Sequence, residues 1–493
     1  MLSQLLLFLA ACGFPQAPAV DVLAADRLHL GDGRVLESAV LHFDDQGKLR
    51  SIVEGPAPEG ALYVEGAVLT PGLIDAYSYL GVGELSLEEA SEVTPALPLS
   101  ATADLDDPGF ALALGEGVTS AYLSPDSMNV IGGLGVVVKT CGGQPADLFA
   151  SSDSAARVLK DKAALKITMG TETGRGNRGP WNNTSLFERR PSTRMATGWL
   201  IRREFYKAFQ YRRLKLDGKN PPLDADMEVL LQAIDGDIPI RFQARRNHDI
   251  QTGLRMQKEF GWKHLIIEEG LEAHKAAPLL VAAKVPVILG PQFDSRSRAQ
   301  ATGFSLADWR LKTNPGPVCC EHLEETLVGE DQERYGHDHF AETGVYEVDG
   351  LALDLLFLTL PRYDAYFARG PYLGRMIEAG FGTPATAALL ARQGVSVVLG
   401  AAEAHDGSVT EGSVIHQARI AHQYGLPAAK ALQAVTGDAA RLCGVADRTG
   451  TLAPGMDGDL VLWSGPPLQA DSRPLLVIVD GRIRVDHRSQ VQG

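Results

Sequence analysis

The chain has 493 residues, 45% of them hydrophobic and 22% charged, a composition that suits a globular fold whose core needs no disulfide framework. A net charge of −15 argues against a nucleic-acid or anionic-membrane surface. The length allows two or three domains, or one large barrel with an accessory domain.

The chain opens on MLSQLLLFLAACGF, an apolar run with no Lys or Arg before it and too short to span a bilayer. It ends in Leu9-Ala10-Ala11-Cys12, which resembles the lipobox of bacterial lipoproteins: small residues for a signal peptidase, then a thiol for the lipid. The expectation is a signal and tether over residues 1–19 with lipid on Cys12, placing the protein in the periplasm or cell envelope as a lipoprotein. Each buried acyl methylene would contribute about 0.8 kcal/mol to that anchor. An ordinary secretory signal or a mis-set start is the alternative. Of the other cysteines, Cys141, Cys319, Cys320 and Cys443, the adjacent pair is strained as a disulfide. No CxxC spacing points to a thiolate zinc site.

From Val20 to Leu69 apolar and polar residues alternate between Asp-Gly and Gln-Gly turns, which predicts short antiparallel strands. The stretch 445–488 has the same character. Segments 20–70 and 445–488 are expected to pair into one composite β-sandwich, since domain termini often lie close together. Between them, LIDAYSY, VTSAYLS, AALKITM, IPIRFQA, HLIIEEG, VPVILGP and VSVVLGA read as buried strands. Helical periods such as HDIQTGLRMQKEFGW separate several of them. Such alternation predicts parallel strands with crossover helices, and over residues 71–444 it favours a (β/α)₈ barrel. An open doubly wound sheet is the alternative, but no Gly-rich phosphate fingerprint follows the first strand. The basic segment Ile201 to Lys215 reads as a helix with a solvated face. Residues 301–386 fit the alternation poorly and read as an insertion at the barrel mouth. The GHDHF within it, Gly336 to Phe340, reads as a solvated loop.

PGLIDAYSYLG (Pro71 to Gly81), MNVIGGLGVVVK (Met128 to Lys139), PSTRM, GPQFDSRSR, and TGDAARLCG with GTLAPGMDGDLVL together resemble the imidazolonepropionase-like branch of the amidohydrolase superfamily. The resemblance covers most of residues 65–295 and 388–485. It implies a barrel plus a composite β-sandwich and, in active relatives, metal-assisted hydrolysis of carbon–nitrogen bonds. In such sites two histidines on the first strand, one on each of two later strands and an aspartate on the last enclose a divalent metal, which activates water.

At the matching positions this chain differs. The first-strand pair is Tyr77 and Tyr79. Gln243 stands in Gln243-Ala244-Arg245-Arg246, where relatives have His-Ala-His-Arg. Glu269 replaces the histidine of Glu-His-Gly. Ala402 falls at the last-strand aspartate, or Glu403 if the match shifts by one. Lys166 matches a lysine for which the resemblance implies carboxylation to bridge two metals in some relatives; here it is expected to pair with a carboxylate. Arg245 is expected to face Glu269 and partly replace the lost cation, with the tyrosine rings filling the vacated volume. His405 and Asp406 follow the last strand and could sit at the mouth; His248 and His274 read as helix-surface residues. No Gly-x-Ser-x-Gly elbow supports a serine hydrolase.

The resulting expectation is an exported amidohydrolase-fold protein, non-catalytic at the metal site, with no cofactor. It would act as a binding or partner subunit beside another amidohydrolase-fold chain or a second copy, touching a membrane only through its lipid. The alternative is a hydrolase of carbon–nitrogen bonds with a site rebuilt from Lys166, Glu269, Glu403, His405 and Asp406, a reading under which a loosely held metal such as zinc is expected. A solute-binding protein is a third class.

Overall fold

A computed structural model describes residues 17–82, 88, 91–141, 154–170, 173, 191, 193–290, 383–401 and 413–488. Cys12, Ala402, Glu403, His405, Asp406, the GHDHF loop and nearly all of the 301–386 insertion lie outside these residues.

Strands β1 (Val22–His29), β2 (Val35–Phe43), β3 (Leu49–Glu54), β4 (Leu62–Tyr63) and β5 (Val68–Pro71) precede the barrel. Its strands are β6 (Leu73–Ser78), β7 (Val118–Leu123), β8 (Ile131–Lys139), β9 (Val158–Thr168), β10 (Ile240–Gln243), β11 (Leu265–Glu268), β12 (Val287–Leu289) and β13 (Val397–Leu399). Strands β14 (Leu460–Trp463), β15 (Pro474–Val479) and β16 (Arg482–Asp486) follow.

The two ends of the chain form one hydrogen-bonded mixed sheet, ordered β16-β15-β14-β5-β1-β2-β3, with β4 on β1. Its join is the antiparallel pair β5–β14, in register Leu69↔Leu462. Period-two alternation sorts its side chains. Leu460, Leu462, Leu476 and Ile478 enter a core that belongs to this sheet. Their neighbours Val461, Trp463, Val477 and Val479 join the barrel's core instead. Trp463, fully buried, satisfies its indole N–H on Thr70 Oγ1 at 2.9 Å, as a buried donor must.

The second sheet runs β13-β12-β11-β10-β9-β8-β7-β6. An all-parallel barrel was the expectation, and this is corrected at one strand: β8 runs antiparallel to both β7 and β9, while the other neighbours are parallel. Its glycines make room for what faces them. A Cβ on Gly135 would collide with the Tyr122 hydroxyl. The barrel is nearly closed. Between its first and last strands, Ala434 and Val435 act as a bridge, accepting from Leu399 N at 3.1 Å and Ile74 N at 2.8 Å. Asp75 adds a side-chain tie, its Oδ1 accepting from Tyr77 N at 3.0 Å and Ala401 N at 2.9 Å. Gly400 must lack a side chain, because its Cβ would fall 2.6 Å from that of Tyr77.

Helices cover the outside. Asn247–Phe260 ends at Gly261 with φ 71°, and Ala225–Asp235 starts on an Asp224 cap and ends at Gly236 with φ 86°, the usual chemistry of helix ends. The basic segment lies on helix Arg194–Leu216, where Arg203 and Lys207 are exposed. Among the described residues, no helix is long and apolar enough to cross a membrane.

Barrel and terminal sheet are joined by a buried ion cluster. Lys139, at the end of β8, pairs with Asp457 at 2.8 Å and Asp459 at 3.1 Å, and also with Asp480. Arg448 and Lys48 complete the shell around Asp457. Burial alone would lower the Lys139 pKa, but the charges of Asp459, Asp480 and Asp457 outweigh it and raise the value. Lys139→Met would strand these carboxylates without their shared cation, and removing one partner of a buried pair costs about 3–5 kcal/mol. Urea denaturation should show that loss, with both sheets melting together; a loss below about 1 kcal/mol would deny the cluster its joining role.

Asp75 gives a second prediction. Burial pushes its carboxyl from 3.8 to about 7, against the two backbone donors and the charge of Arg241. The native state therefore keeps a proton that the unfolded chain releases near pH 4. Stability should fall as pH rises from about 4 to 7, by up to roughly 4 kcal/mol for this group. Asp75→Asn cannot titrate, so its stability relative to the parent should improve steadily across that window. Parallel pH profiles for the two proteins would refute this.

Candidate functional site at the barrel mouth

Tyr77 and Tyr79 stand at the C-terminal end of β6, the end where barrel sites form. Their rings meet edge to face with centroids 5.4 Å apart, and their hydroxyl oxygens lie 2.7 Å apart. The Tyr77 hydroxyl donates to Glu269 Oε1 at 2.5 Å, and Arg245 Nε donates to Glu269 Oε2 at 2.5 Å. Ser127 Oγ lies 3.0 Å from the Tyr79 oxygen and 3.4 Å from that of Tyr77. All five residues are buried.

A second ion pair lies directly below. Lys166 Nζ pairs with Glu268 Oε2, sits 3.5 Å from the Tyr77 oxygen and lies 4.8 Å from the centroid of that ring. Glu268 Oε1 takes a second cation, Arg241, at 3.3 Å. Strand register explains the assembly: Arg241 opposes Lys166 across β9–β10, and Gln243 opposes Glu268 across β10–β11.

Consecutive residues of a strand point to opposite faces, yet Glu268 and Glu269 both reach this network. Glu269 lies just past β11 with φ 60°. That left-handed conformation turns its side chain back inward, at a cost of order 1–3 kcal/mol for a non-glycine residue.

Deeper in the barrel, the Arg241 guanidinium stacks 3.3 Å from the Tyr122 ring centroid. It donates to Ala76 O at 2.6 Å and to Cys443 Sγ at 3.4 Å. Burial pushes the Cys443 thiol pKa up, partly offset by Arg241. This interior carries charges where many barrels hold branched apolar layers.

Of the residues singled out in the sequence, Tyr77, Tyr79, Lys166, Arg245 and Glu269 are brought together in this one network. Gln243, also buried, ends the strand that carries Arg241. His248 is exposed at a helix start. His274 is half-buried in a 3-10 turn, with Nδ1 3.1 Å from Thr386 Oγ1, so the expectation of a helix-surface residue is corrected. Sequence reasoning missed Ser127, Arg241, Glu268 and Asp75. For three of them a signal existed: a charge inside an otherwise apolar strand, in LIDAY, IPIRF and LIIE. Ser127 lies in a loop after β7, and nothing in its neighbourhood marked it. Among the described residues, no group of three or more His, Cys, Asp or Glu is placed to hold a metal ion.

Arg245→Ala would leave Glu269 buried without its guanidinium, a loss of about 3–5 kcal/mol. The double variant Arg245→Ala/Glu269→Gln should recover part of it. An unchanged melting temperature in the single variant would show that the pair contributes no stability.

Comparison with known proteins agrees with this architecture. The family model for the amidohydrolase family matches residues 375–484. The chain is similar to "Amidohydrolase tasK" of Hapsidospora irregularis, 24% identical over 464 residues, which covers 87% of this chain and spans 38% of that relative's length. It is similar in structure to an amidohydrolase from Thermotoga maritima MSB8, with TM-score 0.67, 25% identity, and coverage of 94% of this chain and 99% of that one. A further solved amidohydrolase shares the fold at TM-score 0.50 and 14% identity, covering 94% and 99% of the two chains. Matched family model, relative and barrel together support placing this chain in the amidohydrolase superfamily.

Proposed function

We propose that this chain belongs to the imidazolonepropionase-like branch, that its barrel mouth does not hold a divalent metal, and that it works as a binding or partner subunit. One observation carries the reading: Glu269, at a position where relatives place a metal-binding histidine, has one carboxylate oxygen on Arg245 and the other on Tyr77. A catalytic zinc usually takes three protein ligands. The described stations offer two mutually hydrogen-bonded phenols, an amide and that engaged carboxylate. Nor does Lys166 suit a bridging carbamate, since a negative group there would face the Glu268 carboxylate it now neutralises. The residues present do not fit the metal.

The partner we propose is a second amidohydrolase-fold chain. Support comes from the curated relative, more than half of whose length lies outside the match, room for further domains on one polypeptide. We also read the terminal sheet as a sandwich, because one of its faces encloses a core of its own.

A second reading, a carbon–nitrogen hydrolase with a rebuilt site, is favoured by the left-handed backbone at Glu269, since strain concentrates at functional positions. It would use Lys166 and Glu269, with Glu403, His405 and Asp406 from beyond the described residues.

Elemental analysis of the purified chain, with a hydrolysis screen of cyclic amides and N-acyl amino acids, separates the readings. The proposal expects far less than one zinc, iron or manganese per chain and no turnover with added metal. About one metal per chain, or metal-dependent hydrolysis, would overturn it. Turnover without metal would establish the rebuilt hydrolase.

A further inference from the structure

Helix Arg194–Leu216 buries Ile201, Phe205 and Ala208 in the barrel's core, as one face of a covering helix should. Its outer face is not simply polar. Among the described residues thirteen large hydrophobic side chains are exposed, and six of them, Met195, Trp199, Tyr206, Leu214, Leu216 and Leu223, lie on this helix or in the turn after it. Met195 is 83% exposed, Trp199 60% and Leu216 81%. Met195, Trp199, Tyr206 and Arg213 follow at steps of four, seven and seven, so they share one stripe. Arg203 lies over the Trp199 ring, 5.0 Å from its centroid. Exposed Trp, Tyr, Met and Arg together are the composition of an interface centre.

The charges narrow what can cover this stripe. All seven cations of the helix are already paired: Arg194 with Asp249, Arg202 with Glu259, Arg203 and Lys207 with Glu204, Arg212 with Asp235, Arg213 with Asp217, and Lys215 with Glu228. The face has little net charge to draw an anionic membrane or an acidic partner. It can meet its own image without like-charge repulsion.

We propose that the stripe is the contact between two copies of this chain, their helices antiparallel about a two-fold axis at Tyr206. In such a contact residue i meets j and j meets i. Trp199, seven residues before the axis, then faces Arg213 of the second copy, seven residues after it. Met195 faces the end at Leu216 and Asp217. Arg213 has the longest of the helix's ion pairs, 3.7 Å, and is 82% exposed, so its guanidinium can stack on the indole across the axis. This pairing gives the partner-subunit reading above, on which it rests, a named partner. The helix alone offers a strip about 34 Å long and about 10 Å wide. A standard interface takes about 800 Å² from each partner, so the dimer should be reversible.

Sedimentation of the full chain tests this. The dimer fraction should rise as the concentration goes from about 1 to about 100 µM. Each copy carries −15, so added salt should strengthen the dimer by screening that repulsion, the reverse of binding to an anionic surface. Trp199→Lys places a cation against Arg213 and should weaken dimerisation roughly tenfold or more; adding Arg213→Glu should recover most of the loss. Leu279→Glu, at an exposed apolar residue of another helix, should change nothing. Tyr206→Cys should be joined to its own copy by a short bis-maleimide. Trp199→Cys should not, since its two copies lie about 21 Å apart along the axis. Thermal unfolding checks that each variant is folded. A monomer at every concentration, a dimer left intact by folded Trp199→Lys, or a dimer whose Tyr206→Cys form does not crosslink would overturn the pairing. Capture by anionic vesicles without dimerisation would overturn it too and give the stripe to a membrane. Elemental analysis keeps the two levels apart: a metal-free monomer removes only this pairing, whereas a metal-loaded dimer removes the reading above and leaves the stripe.

Discussion

Two adjacent carboxylates buried inside the barrel are the constraint around which this site is arranged. Taking an unpaired carboxylate out of water costs several kcal/mol even after relaxation, so each needs a cation and further hydrogen bonds. Glu268 receives Lys166 and Arg241; Glu269 receives Arg245 and the Tyr77 hydroxyl. Every one of these partners except Tyr77 comes from β9, β10 or the residues just past β10, the two strands that follow one another on one side of β11. The register of three neighbouring parallel strands thus does the charge balancing, and the left-handed turn at Glu269 lets one chain end supply both acids to the same interior.

The same rule operates at the other end of the barrel. Lys139 leaves β8 and is met by Asp457 and Asp459 before β14 and by Asp480 between β15 and β16. The carboxylates come from the C-terminal part of the chain that completes the terminal sheet, so the ion cluster ties residues more than 300 positions apart in sequence. Charge pairing here depends on long-range topology, whereas at the mouth it depends on local register. β8 is the element that touches both: it sits inside the barrel sheet, yet its last residue belongs to the junction.

Much of the fold was legible because apolar β-branched runs such as VPVILG and VSVVLG can hardly be anything but buried strands. The seven runs recognised in the sequence correspond to the seven mutually parallel strands. The strand that was missed, β8, is broken by Gly132, Gly133 and Gly135 and runs against the βα rhythm, so neither composition nor alternation revealed it. Gly135 answers the Tyr122 side chain of the neighbouring strand β7, and Gly133 answers the Leu97 carbonyl. At the site, the resemblance pointed to Tyr77, Tyr79, Gln243 and Glu269 as candidate positions. What could not be read was the backbone angle at Glu269, which turns that side chain into the interior Glu268 already faces, and the loop that brings Ser127 to Tyr79. Both are properties of conformation rather than composition.

The residues of the mouth are chemically interdependent, and this bears on what the barrel can hold. A metal station must offer lone pairs; the guanidinium of Arg245 and the hydroxyl of Tyr77 offer protons. Both protons go to Glu269. A histidine placed at position 77 alone would displace the phenol that donates to that carboxylate, and one placed at position 269 alone would remove the carboxylate that Arg245 now pairs with. Each single change toward an imidazole cage breaks a buried charge-assisted contact before any metal contact can replace it. The network therefore behaves as one unit: a set of side chains that would bind a cation and a set that donates to an anion cannot be mixed halfway without leaving a charge in the core less well compensated.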